Sequence, residues 1–329
     1  MHGARDAGPA AAGPHRQAAA APASRARPRG AREDRRGVRA GLFAWPALLI
    51  FLGFVAYPVL WIALRSLAPD TAPGSPRGAF ANYLRAFADP VFWIAMRNMA
   101  LWAIITIPVQ MAFGGLIALL IERYTRRSRA FFRTMFFLPV VTSVSVVAIV
   151  WSQMYAPYYG IVQAWLQRLG LTLGIALLAD PRTVIFALIV VNIWQWTGFS
   201  MMMYVAGINA IPEDIFDAAR IDGARFRHLV LRVVVPLVAP VTKSLLLLGV
   251  IGTLQTFPIV YLMTGGGPDH ASEVFGTEIF RQGIVLGNTG YGAALSVLVL
   301  VLSLALSLLQ ITALGAELAP RRAREEAVA

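Results

Sequence analysis

The chain has 329 residues, is 57% hydrophobic and carries a formal charge of +12. That apolar share lies outside the range of soluble domains and points to a membrane protein. With no cysteine, and with only four scattered histidines (His2, His15, His228 and His270), disulfides and thiolate sites are excluded and no metal site is expected.

Residues 1–41 are rich in Ala, Pro, Gly and Arg and hold almost no large apolar side chain. Such a segment cannot bury enough surface to offset chain entropy, so the composition predicts a disordered basic tail. A cleaved signal peptide is the rival reading. The apolar run Leu42 to Leu67 is too long for a signal's apolar core, and it reads as a retained span.

Six apolar runs are long enough to cross ~30 Å of hydrocarbon at about 20 residues each. They fall at 42–66, 98–121, 135–154, 184–208, 237–263 and 291–314, which defines a membrane domain over 42–314 and a short tail at 315–329. Pro46, Pro58, Pro108 and Pro139 lie in or at the ends of these runs, where neighbouring helices can re-satisfy freed carbonyls. Between the first two spans, Phe80, Tyr83, Leu84 and Phe87 recur at i, i+3, i+4 and i+7, the pattern of an amphipathic surface helix. Ile161, Val162, Trp165, Leu166 and Leu169 form a second such stripe. These helices either seal the edge of the bundle or dock a partner. Thr264-Gly-Gly-Gly-Pro268 predicts a turn after the fifth run.

The segment 209–236 differs in kind, being a charged hairpin between two spans. Pro212 suits a first helical position, and Glu213 and Asp214 suit the positive end of a helix dipole. Ile215, Phe216 and Ala219 give one apolar face, Gly223 breaks the helix, and Phe226, Leu229 and Val230 begin a second face. The pair Ala218-Ala219 beside Asp217 fits a surface that another protein approaches closely. A re-entry helix without a partner is the alternative.

Basic residues fix the expected orientation. Of 29, twenty-one lie before residue 42 (nine), in 122–134 (five), in 209–236 (four) and in the C-terminal tail (three). The alternate loops hold five: Arg77, Arg85, Arg168, Arg182 and Arg281. Both termini and the 209–236 hairpin are therefore expected in the cytoplasm. This block pattern reads as topology and not as nucleic-acid binding.

No catalytic constellation is found. Lys243-Ser244 could end a phosphate-binding loop, but Leu237 and Thr242 stand where the glycines are required. Polar side chains within the spans are neutral: Ser152, Gln153, Asn192, Gln195, Ser200, Thr253 and Gln255. Asn192, Gln195 and Phe199 fall at i, i+3 and i+7, on one helical face flanked by Trp194 and Trp196. With Thr253 and Gln255 they either line a solute path or bond neighbouring helices. No Asp, Glu or His lies deep in a run, although a self-sufficient secondary transporter or channel would need such groups.

Asp217-Ala-Ala-Arg-Ile-Asp-Gly-Ala224 with Pro236 resembles the coupling loop of binding-protein-dependent ABC importer permeases. Phe131-Phe-Arg-Thr-Met-Phe-Phe-Leu-Pro139, Leu178-Ala-Asp-Pro181, Trp194-Gln-Trp-Thr-Gly-Phe199 and Met263-Thr-Gly-Gly-Gly-Pro268 are similar to stretches of the MalF/UgpA-like carbohydrate branch. The likeness covers roughly 40–315. It implies an all-α, six-span type I importer bundle in the bacterial inner membrane, with a cytoplasmic coupling hairpin. It also implies a second homologous permease, two ATPase subunits that hold ATP and Mg, an extracytoplasmic solute-binding protein, and a sugar-like solute or glycerol 3-phosphate. No cofactor would be bound by this chain itself. Asp217, Ala218, Ala219, Asp222 and Gly223 would meet the ATPase. Asp217 stands where the family usually has Glu, with the charge kept and the side chain one methylene shorter.

Overall fold

The computed structural model describes residues 45–68, 78–124, 127–170 and 176–315. The expectations for 1–41 and for the tail beyond Gly315 lie outside the described residues. Every regular element among those residues is helical. In chain order these are α1 (Trp45–Ser66), α2 (Ala81–Ala88), α3 (Pro90–Tyr124), α4 (Arg129–Val141), α5 (Val144–Met154), α6 (Ile161–Arg168) and α7 (Val184–Asn209). There follow α8 (Glu213–Ile221), α9 (Phe226–Leu237), α10 (Ala239–Leu254), α11 (Phe257–Met263), α12 (Phe275–Phe280) and α13 (Thr289–Gly315).

Four helices, α1, α3, α7 and α13, are long and apolar enough to cross a membrane alone. The pairs α4–α5 and α9–α10 bring the number to six if each bent pair is one span. The chain divides into two units at Tyr57/Pro58. The described part of the first, residues 45–57, is helical, with nearly every side chain exposed.

In the second unit α3 and α7 form the central pair. One apolar cluster joins Trp102 of α3 and Leu188 and Val191 of α7 to Val260 of α11, Phe275 of α12 and Tyr291 of α13. A second joins Ala118 and Ile121 of α3 and Met201 and Val205 of α7 to Val234 and Val238 near the start of α10. Gly198 lets α7 press against α4: a Cβ there would meet the Phe136 carbonyl oxygen at 2.0 Å.

The structure corrects three span boundaries. The second span starts at Pro90, eight residues before the expected 98. The 135–154 run is not one straight span, because α4 and α5 meet at 94°. Pro139 cannot donate to the helix ladder, and the Thr142 hydroxyl takes the Leu138 carbonyl at 2.9 Å. Thr142 and Ser143 then turn to extended backbone, with ψ 136° and 135°. The 237–263 run is broken as well. α9 bends 63° into α10, and α10 stops at Leu254. Pro258 then opens α11 in its first turn, where its missing N–H costs nothing.

These breaks leave non-helical backbone inside apolar runs. Such backbone is tolerated at membrane depth only if it is buried in protein or lines a wet cavity. Here Val144, just after the first break, and Gln255 and Thr256, in the last, border the same cavity.

The expected surface helices form as α2 and α6. Phe80, Leu84 and Phe87 are exposed around α2, as are Ile161 and Trp165 of α6. The turn expected at Thr264–Pro268 follows α11.

Candidate functional site

A cavity of about 410 Å³ lies among α3, α5, α7 and α10. α3 contributes Trp102, Thr106 and Gln110, and α7 contributes Asn192, Gln195, Trp196, Phe199 and Ser200. Val144 is the first residue of α5, Thr253 comes from α10, Gln255 and Thr256 come from the α10–α11 break, and Pro258 comes from the first turn of α11. The five side chains singled out in the sequence (Asn192, Gln195, Phe199, Thr253 and Gln255) all border this one space. Among the described residues, no ionisable side chain lines it.

The polar groups are partly committed to one another. Gln110 Nε2 donates to Asn192 Oδ1 at 2.9 Å and to the Asn192 carbonyl at 3.2 Å. Asn192 thus bonds a neighbouring helix and borders the cavity at once. Thr106, Thr253 and Thr256 donate to carbonyls of their own turns at 2.8–3.0 Å, which leaves hydroxyl lone pairs to accept. Gln195 is 4% exposed, and its contact to the Thr142 carbonyl is long, at 3.5 Å. A buried amide held so weakly is available for a better partner.

Trp196 and Phe199 meet edge to face, with centroids 6.3 Å apart, and both line the space. Trp194 instead packs on Trp151 at 5.5 Å, outside the lining. Gln153 accepts from Tyr159 at 3.0 Å, also away from the cavity. The sequence reading missed Trp102, Thr106 and Gln110. Their signal was present, as i, i+4 and i+8 on one face of an otherwise apolar run.

The hairpin is the second candidate. α8 carries Glu213 and Asp214 in its first turn. Its end is a left-handed cap: Gly223 has φ +72°, and the Ala224 N–H donates back to the Ala219 carbonyl at 3.0 Å. Phe216 packs against the apolar cluster formed by α3 and α7. Asp217, Ala218, Ile221, Asp222 and Gly223 are exposed, Ile221 at 86%, and Ala219 is half-buried. An isoleucine so open amid charged neighbours marks a surface suited to a protein partner. The Arg123 guanidinium lies over the Phe226 ring at 4.5 Å and ties α9 to the end of α3.

At the opposite end of the second unit, His270, Glu273 and Glu278 bring ligand atoms within 4.8 Å of one another. The sequence, which shows scattered histidines, did not suggest this. Arg281 occupies the place a cation would take: it pairs with Glu278 and approaches Glu273 at 3.7 Å. The group reads as an ion-pair cluster that fixes the loop. Asn98 reinforces it by donating to the carbonyls of Ala271 and Glu273, both at 2.9 Å.

The family model of binding-protein-dependent transport system inner membrane components matches residues 110–313. The probable ABC transporter permease protein YurN of Bacillus subtilis is 38% identical over 275 residues, covering 82% of this chain and 93% of that protein. The trehalose/maltose transport system permease protein MalF of Thermococcus litoralis is 29% identical, covering 81% and 90%. The sn-glycerol-3-phosphate transport system permease protein UgpA of Agrobacterium fabrum is 28% identical, covering 82% and 92%. In fold, the chain is similar to a crystal structure of a bacterial ABC transporter involved in alginate import. The TM-score is 0.74 at 23% identity, over 85% of this chain and 96% of that one.

Proposed function

The chain belongs to the family of binding-protein-dependent transport system inner membrane components, and we propose that it serves an ATP-driven importer of a sugar or related neutral polar solute. The family is one of transport permeases, and such a subunit is not itself catalytic. ATP and Mg would reside on two separate ATPase subunits. A second homologous permease would complete the membrane part, and an extracytoplasmic binding protein would deliver the solute.

The observation that carries the choice of solute is the cavity lining. It offers amides at Gln110, Asn192, Gln195 and Gln255, hydroxyls, and the rings of Trp196 and Phe199, with no charged group among the described residues. Neutral hydrogen-bonding groups beside aromatic faces suit a sugar ring. A phosphorylated solute such as glycerol 3-phosphate is best held by an arginine fork, so this lining favours the sugar. An ion-coupled carrier or a charged filter would require ionisable groups, and this lining has none.

The coupling route follows from connectivity. The exposed face of α8, with Asp217, Ala218 and Ile221, would meet the ATPase, and the hairpin and both chain ends would lie in the cytoplasm. α9 runs from the hairpin into α10, and α10 carries Thr253 to the cavity wall. Closure of the ATPase dimer would move the hairpin, and α10 would pass that displacement to the cavity. This is alternating access in a bistable bundle.

Two measurements test the reading. Gln195→Leu should reduce uptake of the cognate sugar at sub-saturating concentration by about tenfold or more, the value of one good hydrogen bond to a buried amide. Assembly and basal ATP hydrolysis should stay intact. Normal uptake, or loss of assembly, would make the amide idle or structural. For topology, the cysteine-free background allows single thiols. Tyr158→Cys, at a side chain 97% exposed, should react with an impermeant maleimide from outside intact cells. Ser128→Cys should react only after permeabilisation, and the reverse pattern would invert the bundle.

A further inference from the structure

Two short helices, α2 and α6, sit at the end of the bundle away from the hairpin. Ala86 of α2 belongs to the apolar cluster around Trp102 and Leu188, and Val162 of α6 packs against it, whereas Phe216 of the hairpin packs on the other cluster. The transport reading gives neither helix a role.

A helix on the surface of a water-soluble bundle turns its apolar face inward and its polar face out. α2 does the reverse. Asn82 is buried, and its Nδ2 donates to the carbonyls of Ser66 and Ala68, both at 3.0 Å. The Tyr83 hydroxyl also turns inward, 2.6 Å from Ser66 Oγ. Phe80, Leu84 and Phe87 are left exposed, Leu84 at 71%. α6 is inverted in the same sense, with Gln163 buried and Ile161 and Trp165 exposed. Gln167 and Arg168 are exposed as well. α6 therefore has one side against the bundle, one apolar and open, and one polar and open.

The surroundings of the two helices name what covers the open apolar sides. Only Asp89 separates α2 from α3, so α2 lies at the level where that span enters hydrocarbon. In the first turn of α3, Trp93 is exposed while its indole N–H donates to the Phe87 carbonyl at 3.0 Å. An open apolar ring with a satisfied N–H suits the membrane–water boundary, where tryptophan collects. Neither helix contains an acidic residue, which an anionic lipid surface would repel. A soluble partner that comes and goes would leave these side chains in water between visits, and soluble surfaces rarely show large apolar patches.

We propose that α2 and α6 are interfacial anchors. They lie along the bilayer surface on the side away from the hairpin, with Phe80, Leu84, Phe87, Ile161 and Trp165 sunk about 5–10 Å into the boundary between headgroups and acyl chains. The partner of these faces is lipid. Anchored in this way, the start of α3 and the end of α5 would keep their depth while the hairpin is displaced. The inference rests on the membrane placement of the chain and is independent of the solute.

The test uses the full-length chain with its copurifying subunits in nanodiscs. The cysteine-free background allows a single spin label at Leu84→Cys, Trp165→Cys or Gln167→Cys. Each label is read for collisions with oxygen, which concentrates in the bilayer, and with a water-soluble nickel chelate. Oxygen should dominate at Leu84→Cys and Trp165→Cys, and the order should invert at Gln167→Cys on the polar side of α6. If Leu84→Cys fails to accumulate, Phe87→Cys reports the same face. Nickel dominating at both apolar sites would place the helices in water and overturn the proposal in favour of a soluble docking partner. Exclusion of both reagents from both sites would mean a face covered by a second membrane subunit, and would also overturn it. Oxygen dominating at one helix alone would overturn the shared role. None of these failures touches the transport reading, which the Gln195→Leu uptake assay tests separately.

Discussion

Gly223→Val is expected to lower ATP-driven uptake by at least about tenfold, whereas Gly223→Asn is expected to retain most of it. The reason is conformational. Gly223 sits at φ +72°, and a Cβ built there meets nothing within 4 Å. Space is not limiting, so any loss must come from the backbone angle. An ordinary L-residue is roughly 1–2 kcal/mol less stable in that region, and a β-branched one is worse, while asparagine visits it readily.

Valine would push the turn out of the left-handed region and break the Ala224-to-Ala219 cap. The face formed by Asp217, Ala218 and Ile221 would then be misaligned. Ile221→Asp tests that face directly. Burying an isoleucine that is now 86% exposed would stabilise an interface by about 1.5–3 kcal/mol. Losing it should reduce recovery of the ATPase on pull-down by about tenfold or more. Asp217→Ala should act in the same direction, by stranding a charged partner on the ATPase. Normal uptake together with normal ATPase recovery in Gly223→Val and Ile221→Asp would refute the coupling assignment.

Gly198→Val is expected to prevent accumulation of the folded chain. At Gly198 the obstacle is backbone: the added Cβ would lie 2.0 Å from the Phe136 carbonyl oxygen and 3.1 Å from the Phe137 Cα. A flexible side chain could swing aside, but a carbonyl held in a helix cannot. Separating α7 from α4 would also pull Gln195 from Thr142 and widen the cavity. The cost should reach or exceed the upper end of the ~1–3 kcal/mol seen for overpacking. Gly53→Ala is the matched control, since nothing lies within 4 Å of its added Cβ. Membrane yield and thermal midpoint in detergent would report both. Wild-type stability in Gly198→Val would mean that the close α4–α7 approach is not required.

The sequence alone determined the class of the molecule. Long apolar runs whose few ionisable groups sit toward the ends admit a membrane fold and little else, because hydrocarbon tolerates no unsatisfied backbone and few charges. It also determined the hairpin, because proline, acidic first-turn residues and a capping glycine act through local backbone geometry. Asn192, Gln195 and Phe199 were legible for the same reason, since helical spacing alone puts them on one face.

Tertiary structure decided the rest. The breaks at Thr142–Ser143 and at Gln255–Thr256 lie inside runs that hydropathy reads as continuous, because hydropathy measures composition and not the loss of a few ladder bonds. Gln110 and Thr106 became cavity residues only once α3 packed beside α7. Glu273 and Glu278 are both buried: Arg281 reaches Glu278 from three residues along the chain, while folding brings Asn98 of α3 to the same loop. The charge of a loop is written in its residues. Whether that charge meets water, an opposite charge or a neighbouring helix depends on which distant segments fold against it.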